Sequence, residues 1–302
     1  MSAILRKLRE EGPGRTAAAV WRRLARPLHE LRTRHLPAYR DPSDEQLAQV
    51  ERELGELGVH CGDYAADETA FAAFKQRLRF PVDYHGGESG AVYEEKLLEH
   101  FVAWDLLGLS DRPQRWPYVD IASASSPWAS ILRAQGFEAF SMDLAPHPSL
   151  ARLPYTITSD ATASPFESAS VGSASLQCAY EMFAGDADIR LLAELARILK
   201  PGGRVVISPL YTHVEACYYQ SPEHAGRPLG DAGATAYVRR DAHDVPCSRK
   251  YSARSLLQRV IEPARRAGLR PGVLVLRNKR QLGAGIYLHF ILVLDKPAEP
   301  GA

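Results

Sequence analysis

Strand-like and helix-like segments alternate along the chain from Trp116 onward, and this alternation most constrains the fold. Residues 118–122 form a short apolar run of the kind found in buried parallel strands. Ser126 and Pro127 then supply a helix N-cap and a proline at the first helical position, and Gly136 is a typical residue just past a helix end. The alternation predicts βαβ units wound on both faces of one open sheet.

Further segments extend the same pattern. The Ser43-Asp44-Glu45-Gln46 capping box predicts a helix to about residue 57. Residues 273–276 and 287–294 have no helix between them, so we expect them to pair antiparallel as a final hairpin. The other predicted strands are 139–142, 174–178 and 205–210, with a turn at 201–203, and the other predicted helices are 67–79, 91–107, 127–136, 187–199 and 252–267.

Small and acidic side chains lie where the predicted parallel strands end, which is where ligands bind in open α/β sheets. Ala122, Ser123 and Ala124 follow the first strand, and such small side chains let a ligand approach the backbone. Asp143 ends the second strand, twenty-three positions after Asp120. That is the spacing at which a carboxylate accepts hydrogen bonds from both hydroxyls of a ribose.

A third acid, Asp160, falls where the next strand should end, and it can accept a hydrogen bond from an adenine amino group. The chain has no G-x-G-x-x-G motif, which dinucleotide sites need because a pyrophosphate must approach the turn. A nucleoside ligand without phosphates needs those glycines less. The pattern therefore favours S-adenosyl-L-methionine over a nicotinamide dinucleotide.

Four segments, in this order, resemble class I S-adenosylmethionine-dependent methyltransferases with a methyltransferase type 11-like domain. They are YVDIASASSPW at the family's glycine motif, FSMDL at its ribose acid, SDATASPF at its adenine-side acid, and CAYEMFAGDADIRLLAELARILKPGGRVVISPL at its post-motif segment. The resemblance covers about 180 residues. It implies a doubly wound, Rossmann-like sheet of seven strands with a reversed final hairpin. It also implies an N-terminal helical extension (1–110) before a methyltransferase domain (111–302), with 211–250 as a lid over the substrate.

The resemblance assigns a cofactor site to these segments. Asp120 contacts the cofactor amino group or caps neighbouring amides, and Lys96 either pairs with the methionine carboxylate or belongs to a solvated polar stripe with Tyr93 and His100. Asp143 is expected at the ribose, its alternative being the cap of a turn. The full predicted set is Lys96, Asp120, Ala122, Ser123, Ala124, Ser126, Asp143, Leu144, Asp160 and Ala161. Ala122 and Ala124 depart from the family's glycines, so their Cβ atoms bear on cofactor binding.

Catalytic candidates follow the fourth and fifth strands. Glu181 can act as a general base, or it can cap the next helix. Tyr211 and His213 lie on the same side of the sheet, where His213 can deprotonate a hydroxyl acceptor or can simply be exposed. The predicted activity is methyl transfer, with O-methylation of a small-molecule or glycan-type acceptor. The alternative is a non-catalytic scaffold that keeps the fold. The aromatic and basic lid side chains proposed to meet the acceptor are Tyr218, Tyr219, His224, Tyr237, Arg239, Arg240 and His243.

The first forty residues are strongly basic, although the whole chain carries a formal charge of only +1. They hold ten Lys or Arg and three Glu, a net of +7, which leaves −6 on the remainder. Within 1–37, which reads as helical, Trp21, Leu24, Leu28 and Leu31 fall on one helix face. We interpret this segment as a helix packed on the body with a solvated charged face. Peripheral contact with an anionic membrane is the alternative.

The remaining composition excludes several classes of protein. No apolar run approaches the length of a membrane span, and the N-terminus lacks the apolar region of a secretory signal. The four cysteines form no C-x-x-C pair, so we expect no metal site and a reducing, cytoplasmic location. Arginine outnumbers lysine 30 to 7, which is typical of a bacterium with a GC-rich genome. No G-x-S-x-G elbow is present, and outside the basic head there is no nucleic-acid footprint.

Overall fold

The computed structural model describes residue 21 and residues 24–110, 115–227 and 233–298. Its strands are β1 (Cys61–Tyr64), β2 (Tyr118–Ile121), β3 (Ala139–Asp143), β4 (Thr156–Thr158), β5 (Val171–Gln177), β6 (Leu199–Ser208), β7 (Cys217–Gln220), β8 (Thr235–Val238), β9 (Ser248–Lys250), β10 (Arg270–Leu276) and β11 (Phe290–Asp295). Eight of them form one mixed sheet in the order β1-β10-β11-β6-β5-β2-β3-β4. The predicted doubly wound, Rossmann-like α/β fold is confirmed.

The parallel centre of the sheet brings several loops to one edge. β2 pairs in parallel with β3 on one side, Ile121 lying opposite Met142, and with β5 on the other, Asp120 lying opposite Ser175. The loops that follow these strands therefore begin next to one another. β10 and β11 pair antiparallel, as predicted for the final hairpin, although a short helix, Lys279–Leu282, lies between them where none was expected. β11 also pairs antiparallel with β6.

The sheet has eight strands where seven were predicted. The additional strand is β1, which lies in the predicted helical extension and pairs in parallel with β10 at the sheet edge, Cys61 opposite Val273. Its sequence, Cys-Gly-Asp-Tyr, has one buried residue and no apolar alternation. A short edge strand of this kind gives little sequence signal, because four residues with one buried side chain show no alternation of apolar and polar residues.

Helices cover both faces of the sheet. They are Asp44–Glu56, Glu68–Arg77, Tyr93–Leu106, Trp128–Ala134 and Ala187–Ile198, followed by the short helices Ala253–Leu256, Glu262–Arg266 and Lys279–Leu282. The predicted capping box is present, since the Gln46 amide donates to Ser43 Oγ over 3.3 Å and the Ser43 amide donates to Gln46 Oε1 over 2.9 Å.

Two apolar layers sandwich the sheet. One contains Val50 and Leu54 of the first helix together with Leu191 and Leu195. The other contains Phe71, Phe74, Leu98 and Trp128, with further residues of Tyr93–Leu106. Because helices before the first central strand contribute to both layers, the N-terminal region is part of the same packed body.

One local prediction was wrong, and another was right in span but incomplete. The expected turn at 201–203 lies inside β6, where the register between β5 and β6 shifts and Gly202 adopts a φ of 76°. The turn residues therefore make a bulge rather than end the strand. The helix predicted over 252–267 is interrupted by a π-helical segment, Leu257–Ile261.

A second, three-stranded sheet, in the order β8-β7-β9, lies within residues 211–250, the segment that was predicted as a lid. Residues 24–33 are helical and lead to a bridge between Ala38 and Val238 of β8. Most of the predicted helix 1–37 lies outside the described residues. Among the described helices, none has the length and apolar character needed to cross a bilayer.

The N-terminal helix does not pack through its apolar face. Trp21, Leu24, Leu28 and Leu31 are 72%, 70%, 70% and 60% exposed. The favoured interpretation, a helix packed on the body with its charged face in solvent, is therefore wrong for this segment.

Candidate functional site

The loop after β2 holds a left-handed backbone without glycine. Ala122 and Ala124 have φ values of 54° and 47°, a region that glycine enters far more readily than alanine. These residues and Ser123 line a cleft of about 180 Å³, together with Ser126, Asp120 and Lys96. The structure thus brings together six of the ten predicted cofactor residues.

Unpaired polar atoms are buried at this cleft. Asp120 is 1% exposed, and its Oδ2 has no hydrogen-bond partner among the described residues. The hydroxyl oxygen of Ser123, which is also buried, likewise has no partner among them. Burial raises the pKa of the Asp120 carboxyl to about 7, against a smaller lowering effect of a hydrogen bond from Ser126. A buried carboxylate with a free oxygen is suited to a cationic ligand group, because pairing recovers its desolvation cost.

Asp143 holds the loop from the neighbouring strand. Its Oδ2 accepts from the Ala124 amide over 2.8 Å, and its Oδ1 accepts from the Ala145 amide over 2.7 Å. These contacts match the interpretation of Asp143 as the cap of a turn. Each carboxylate oxygen keeps a further lone pair, so it can still accept a hydrogen bond from a ribose hydroxyl. The next residue, Leu144, is 73% exposed.

Asp160 caps a short 3₁₀ helix, Ala161–Ala163. Its Oδ1 accepts from the Thr162 amide over 2.8 Å and from Thr162 Oγ1 over 2.9 Å, and Ala161 is buried beside it. Neither Asp143 nor Asp160 lines the 180 Å³ cleft. Both sit at the ends of the adjoining strands β3 and β4, as their sequence positions predicted.

Lys96 lies in the cleft wall, paired with an acid that the sequence reading missed. Its Nζ contacts Glu99 Oε1 at 2.8 Å and Oε2 at 3.1 Å, with Glu99 1% exposed. Burial alone lowers the pKa of Lys96, but the Glu99 carboxylate outweighs it and raises that pKa above its usual value. The spacing of three residues on a helix was the available signal for this pair.

The solvated-stripe interpretation of the same helix is wrong. His100 is buried, shares a 2.8 Å hydrogen bond between its Nε2 and the Tyr84 hydroxyl, and burial lowers its pKa to about 3. Helix periodicity placed Lys96 and His100 on one face but did not show that this face packs inward.

A larger cavity of about 640 Å³ adjoins the cleft. Glu181 and Tyr211 line it, as predicted, whereas His213 is not among its lining residues. Glu181 is 8% exposed, its Oε2 lacks a partner among the described residues, and burial raises its pKa. The Nδ1 of His213 instead accepts from the Glu215 amide over 3.3 Å.

Cys178 lines both spaces. It directly follows β5 and has a φ of 49°, and its Sγ lies 2.9 Å from the Tyr211 hydroxyl and 3.4 Å from Glu99 Oε1. Six described non-glycine residues have a positive φ, and four of them line the cleft or the larger cavity, namely His85, Ala122, Ala124 and Cys178. Such backbone strain is concentrated at functional sites in folded proteins.

Lys250 is the main functional candidate that the sequence reading missed. It is 2% exposed on β9, and its Nζ lies 3.4 Å from the centroid of the Tyr211 ring and 5.1 Å from that of Tyr219. Burial lowers its pKa to about 8, against an opposing effect of Glu181. A lysine in a three-residue strand gives no periodic signal, so only the fold places it in the cavity.

The lid side chains divide between the cavity and the lid itself. Of those predicted to meet an acceptor, Tyr219 and Arg239 line the cavity. Four of the other five have different partners: Tyr237 donates to Glu215, His224 pairs with Asp244, His243 contacts Arg26, and Arg240 donates to the backbone of residues 33 and 34. The fifth, Tyr218, is buried in β7 and does not line the cavity.

A buried ion network ties the lid to the main body. Asp188, at the start of its helix and fully buried, lies 2.7 Å from Arg249 of β9 and 2.7 Å from Arg259, and it accepts from the Tyr251 hydroxyl over 2.8 Å. Because Arg249 precedes Lys250 directly, this network sets the position of the cavity lysine.

Comparison with known proteins finds a family model that matches part of the central sheet. Residues 119–207 match the family described as "Methyltransferase domain". A search of curated proteins gives no significant match.

Solved structures with a similar course include three methyltransferases. One is a 1,6-didemethyltoxoflavin-N1-methyltransferase of Burkholderia thailandensis with bound S-adenosylhomocysteine (18% identity, 78% of this chain and 92% of that one, TM-score 0.46). Another is a geranyl diphosphate C-methyltransferase of Streptomyces coelicolor A3(2) (17% identity, 89% of this chain and 98% of that one, TM-score 0.42). A third is a SAM-dependent methyltransferase of Methanosarcina mazei (14% identity, 64% of this chain and 98% of that one, TM-score 0.43). Likenesses this distant carry no inference about an acceptor.

Proposed function

We propose, from the premise that residues 119–207 of this chain are a methyltransferase domain, that the protein moves a methyl group from S-adenosyl-L-methionine to a hydroxyl of a small-molecule or glycan-type acceptor. The observation that carries the proposal is the position of Cys178, which borders both the cleft after β2 and the 640 Å³ cavity. A donor in the first space and an acceptor in the second would meet beside this residue.

The residues of the cleft, and the acids at the ends of the adjoining strands, fit the proposed cofactor. Asp120 offers a buried carboxylate oxygen without a partner to a cationic amino group, and Asp143 and Asp160 lie where ribose and adenine contacts are expected. Leu144 and Ala161 adjoin those two acids in the same proposed site. S-adenosylmethionine supplies a methyl group already activated by its sulfonium, so the protein mainly has to position the acceptor.

Glu181 is the proposed base for an acceptor hydroxyl. It is buried, it lines the cavity, and its raised pKa brings it closer to the pH at which a base is most effective. In this role the proton leaves the acceptor oxygen for Glu181 as that oxygen gains its methyl group. Tyr211 forms the cavity wall opposite Lys250 and contacts Cys178, which suits a positioning role.

A buried lysine makes the cavity suited to an acceptor with negative charge. Arg239 and Lys279 line the cavity in ion pairs with Asp41 and Asp44, whereas Lys250 is buried among aromatic rings. A cation held against ring faces keeps its charge available to a ligand, because the rings provide no acceptor that would neutralise it. Lys250 can also stabilise charge that develops on the acceptor oxygen.

Cofactor binding is the first test of this proposal. Titration of the purified protein with S-adenosylhomocysteine in a calorimeter should give one site per chain. Asp143→Asn and Asp120→Asn should each weaken binding about tenfold or more, because each removes a charge-assisted contact. Asp295→Asn, at an exposed ion pair with Arg204 far from the cleft, serves as the matched control and should bind like the unchanged protein. Absence of binding would overturn the proposed activity.

A non-catalytic scaffold is the second candidate, and the alanines at 122 and 124 favour it. Transfer of a labelled methyl group to fractions of a bacterial extract separates the two candidates. Transfer of the label that is lost when Glu181 is replaced supports the enzyme, whereas tight cofactor binding without any transfer supports the scaffold.

All four cysteines are free thiols, which supports the proposed reducing, cytoplasmic location.

A further inference from the structure

The N-terminal helix presents a continuous apolar stripe to the outside of the molecule. The stripe consists of Trp21, Leu24, Leu28 and Leu31, at spacings of three, four and three residues, and each member is at least 60% exposed. In the described part of the chain the other large exposed apolar residues do not form such a run along one element. A row of this kind marks an interaction surface.

The opposite side of the same helix is held by the lid. Arg26 donates to the carbonyl oxygen of Ala242 over 3.2 Å and to that of Arg240, and it pairs with Glu30 at 2.8 Å. Thr33 is buried. The helix is thus anchored through its polar side, an arrangement that leaves the apolar side facing outward.

The charge around the stripe selects its partner. Arg32 and Arg34 are exposed beside it, and residues 1–40 carry a net charge of +7. Two copies meeting through this face would bring two such charges together, whereas an anionic lipid surface complements them. We propose that the stripe docks on an anionic membrane surface, the helix lying in the plane of the headgroups.

The chain leads from the docking helix to the wall of the larger cavity. Tyr39 follows Leu31 by eight positions, donates its amide to the Val238 carbonyl over 2.9 Å, and lines the cavity. Docking itself does not depend on the proposed methyl transfer and can be measured without cofactor or acceptor.

Vesicle sedimentation with the full chain tests the proposal. The protein should sediment with vesicles of phosphatidylcholine mixed with phosphatidylglycerol and remain in the supernatant with phosphatidylcholine alone. Leu24→Gln with Leu28→Gln should lower the partition coefficient at least about tenfold, since two leucine side chains lose their burial in lipid. Arg32→Gln should lower it about fivefold, the weight of one basic residue near an anionic surface.

Val82→Gln is the matched control, because Val82 is 95% exposed and is not part of the helix. It should sediment like the unchanged protein. The double leucine variant should keep its melting temperature, since its altered side chains contact mainly solvent. A clear loss of melting temperature would mean that another segment of the chain covers the stripe, and this would overturn the proposal.

Two other results would also overturn it. Equal binding to neutral and anionic vesicles would contradict the argument from charge. No binding to either kind of vesicle would exclude a membrane as the partner of the stripe. Light scattering that finds a dimer, made monomeric by the double leucine substitution, would assign the stripe to a second copy of the chain instead.

Discussion

At the scale of single residues, the loop after β2 combines a strained backbone with small side chains. Ala122 and Ala124 occupy the left-handed region, which costs a non-glycine residue about 1–2 kcal/mol. Glycine loses about 0.5–1 kcal/mol in unfolded-state entropy, so Ala122→Gly and Ala124→Gly should each stabilise the protein by about 0.5–1 kcal/mol. Urea unfolding measures the gain. Ala129→Gly, inside a helix, is the control and should lose about 1 kcal/mol. Lower stability for both loop variants would contradict a strained loop.

Asp120 gives stability a pH dependence of defined sign. Burial raises the pKa of its carboxyl from 3.8 to about 7, so the ionised form is penalised in the folded protein. The stability that this carboxyl contributes is fully present below pH 3.8 and is lost as the pH rises through 7. The loss in the free energy of unfolding is at most about 4 kcal/mol. Asp120→Asn should therefore be more stable than the unchanged protein at pH 8, and the difference should shrink toward pH 4. Denaturant unfolding across this range checks it; a difference independent of pH would contradict the buried charge.

The cavity pair Glu181 and Lys250 should shape the pH profile of the proposed methyl transfer. Activity should fall at low pH as Glu181, whose pKa is raised by burial, takes up a proton, and at high pH as Lys250, with a pKa lowered by burial to about 8, loses one. Glu181→Gln should lower kcat by about 10²–10⁴ and remove the acidic limb.

Lys250→Arg is the informative companion variant. Because arginine stays protonated, it should keep part of the activity and lose the alkaline limb. An alkaline limb that persists in Lys250→Arg would show that another group titrates there.

At the scale of elements, the lid depends on a buried charge cluster. Arg249→Met leaves the fully buried Asp188 with fewer partners, so we expect a loss of about 2–4 kcal/mol in the free energy of unfolding. It should also raise KM for the acceptor more than it lowers kcat, since Lys250 follows directly on β9. Arg266→Met is the matched control, because its pair with Glu262 is exposed, and it should change stability by less than about 0.5 kcal/mol. Similar losses for both variants would contradict a special role for the cluster.

At the scale of the whole molecule, the N-terminal region and the sheet domain share one core. β1 pairs with β10, and Phe71, Phe74 and Leu98 pack in the same layer as Trp128. A fragment of residues 111–302, the predicted methyltransferase domain, should therefore lack a cooperative thermal transition. A fragment that starts at residue 38 should keep one. Circular dichroism during heating measures both, and a cooperative transition in the shorter fragment would support an independent domain from residue 111.

Local sequence carried a large part of the fold. The capping box at Ser43, the strand that ends at Asp143 and the antiparallel final hairpin were all predicted, because each depends on periodicity or on residues adjacent in the chain. The pairing of β1 was not, since four residues with one buried side chain carry no pattern. The bulge at Gly202 was read as a turn because the same residues serve both structures.

What the sequence determined by itself was the order of strands and helices, the acids at the strand ends and the match of residues 119–207 to the methyltransferase domain family. Only the tertiary structure decided which side chains are buried together. Lys250 and Cys178 are distant in the chain yet line one cavity, and Lys96 pairs inward with Glu99. It also decided that Leu24 and Leu28 face outward, because helix periodicity places residues on a face but does not determine which face the rest of the molecule covers.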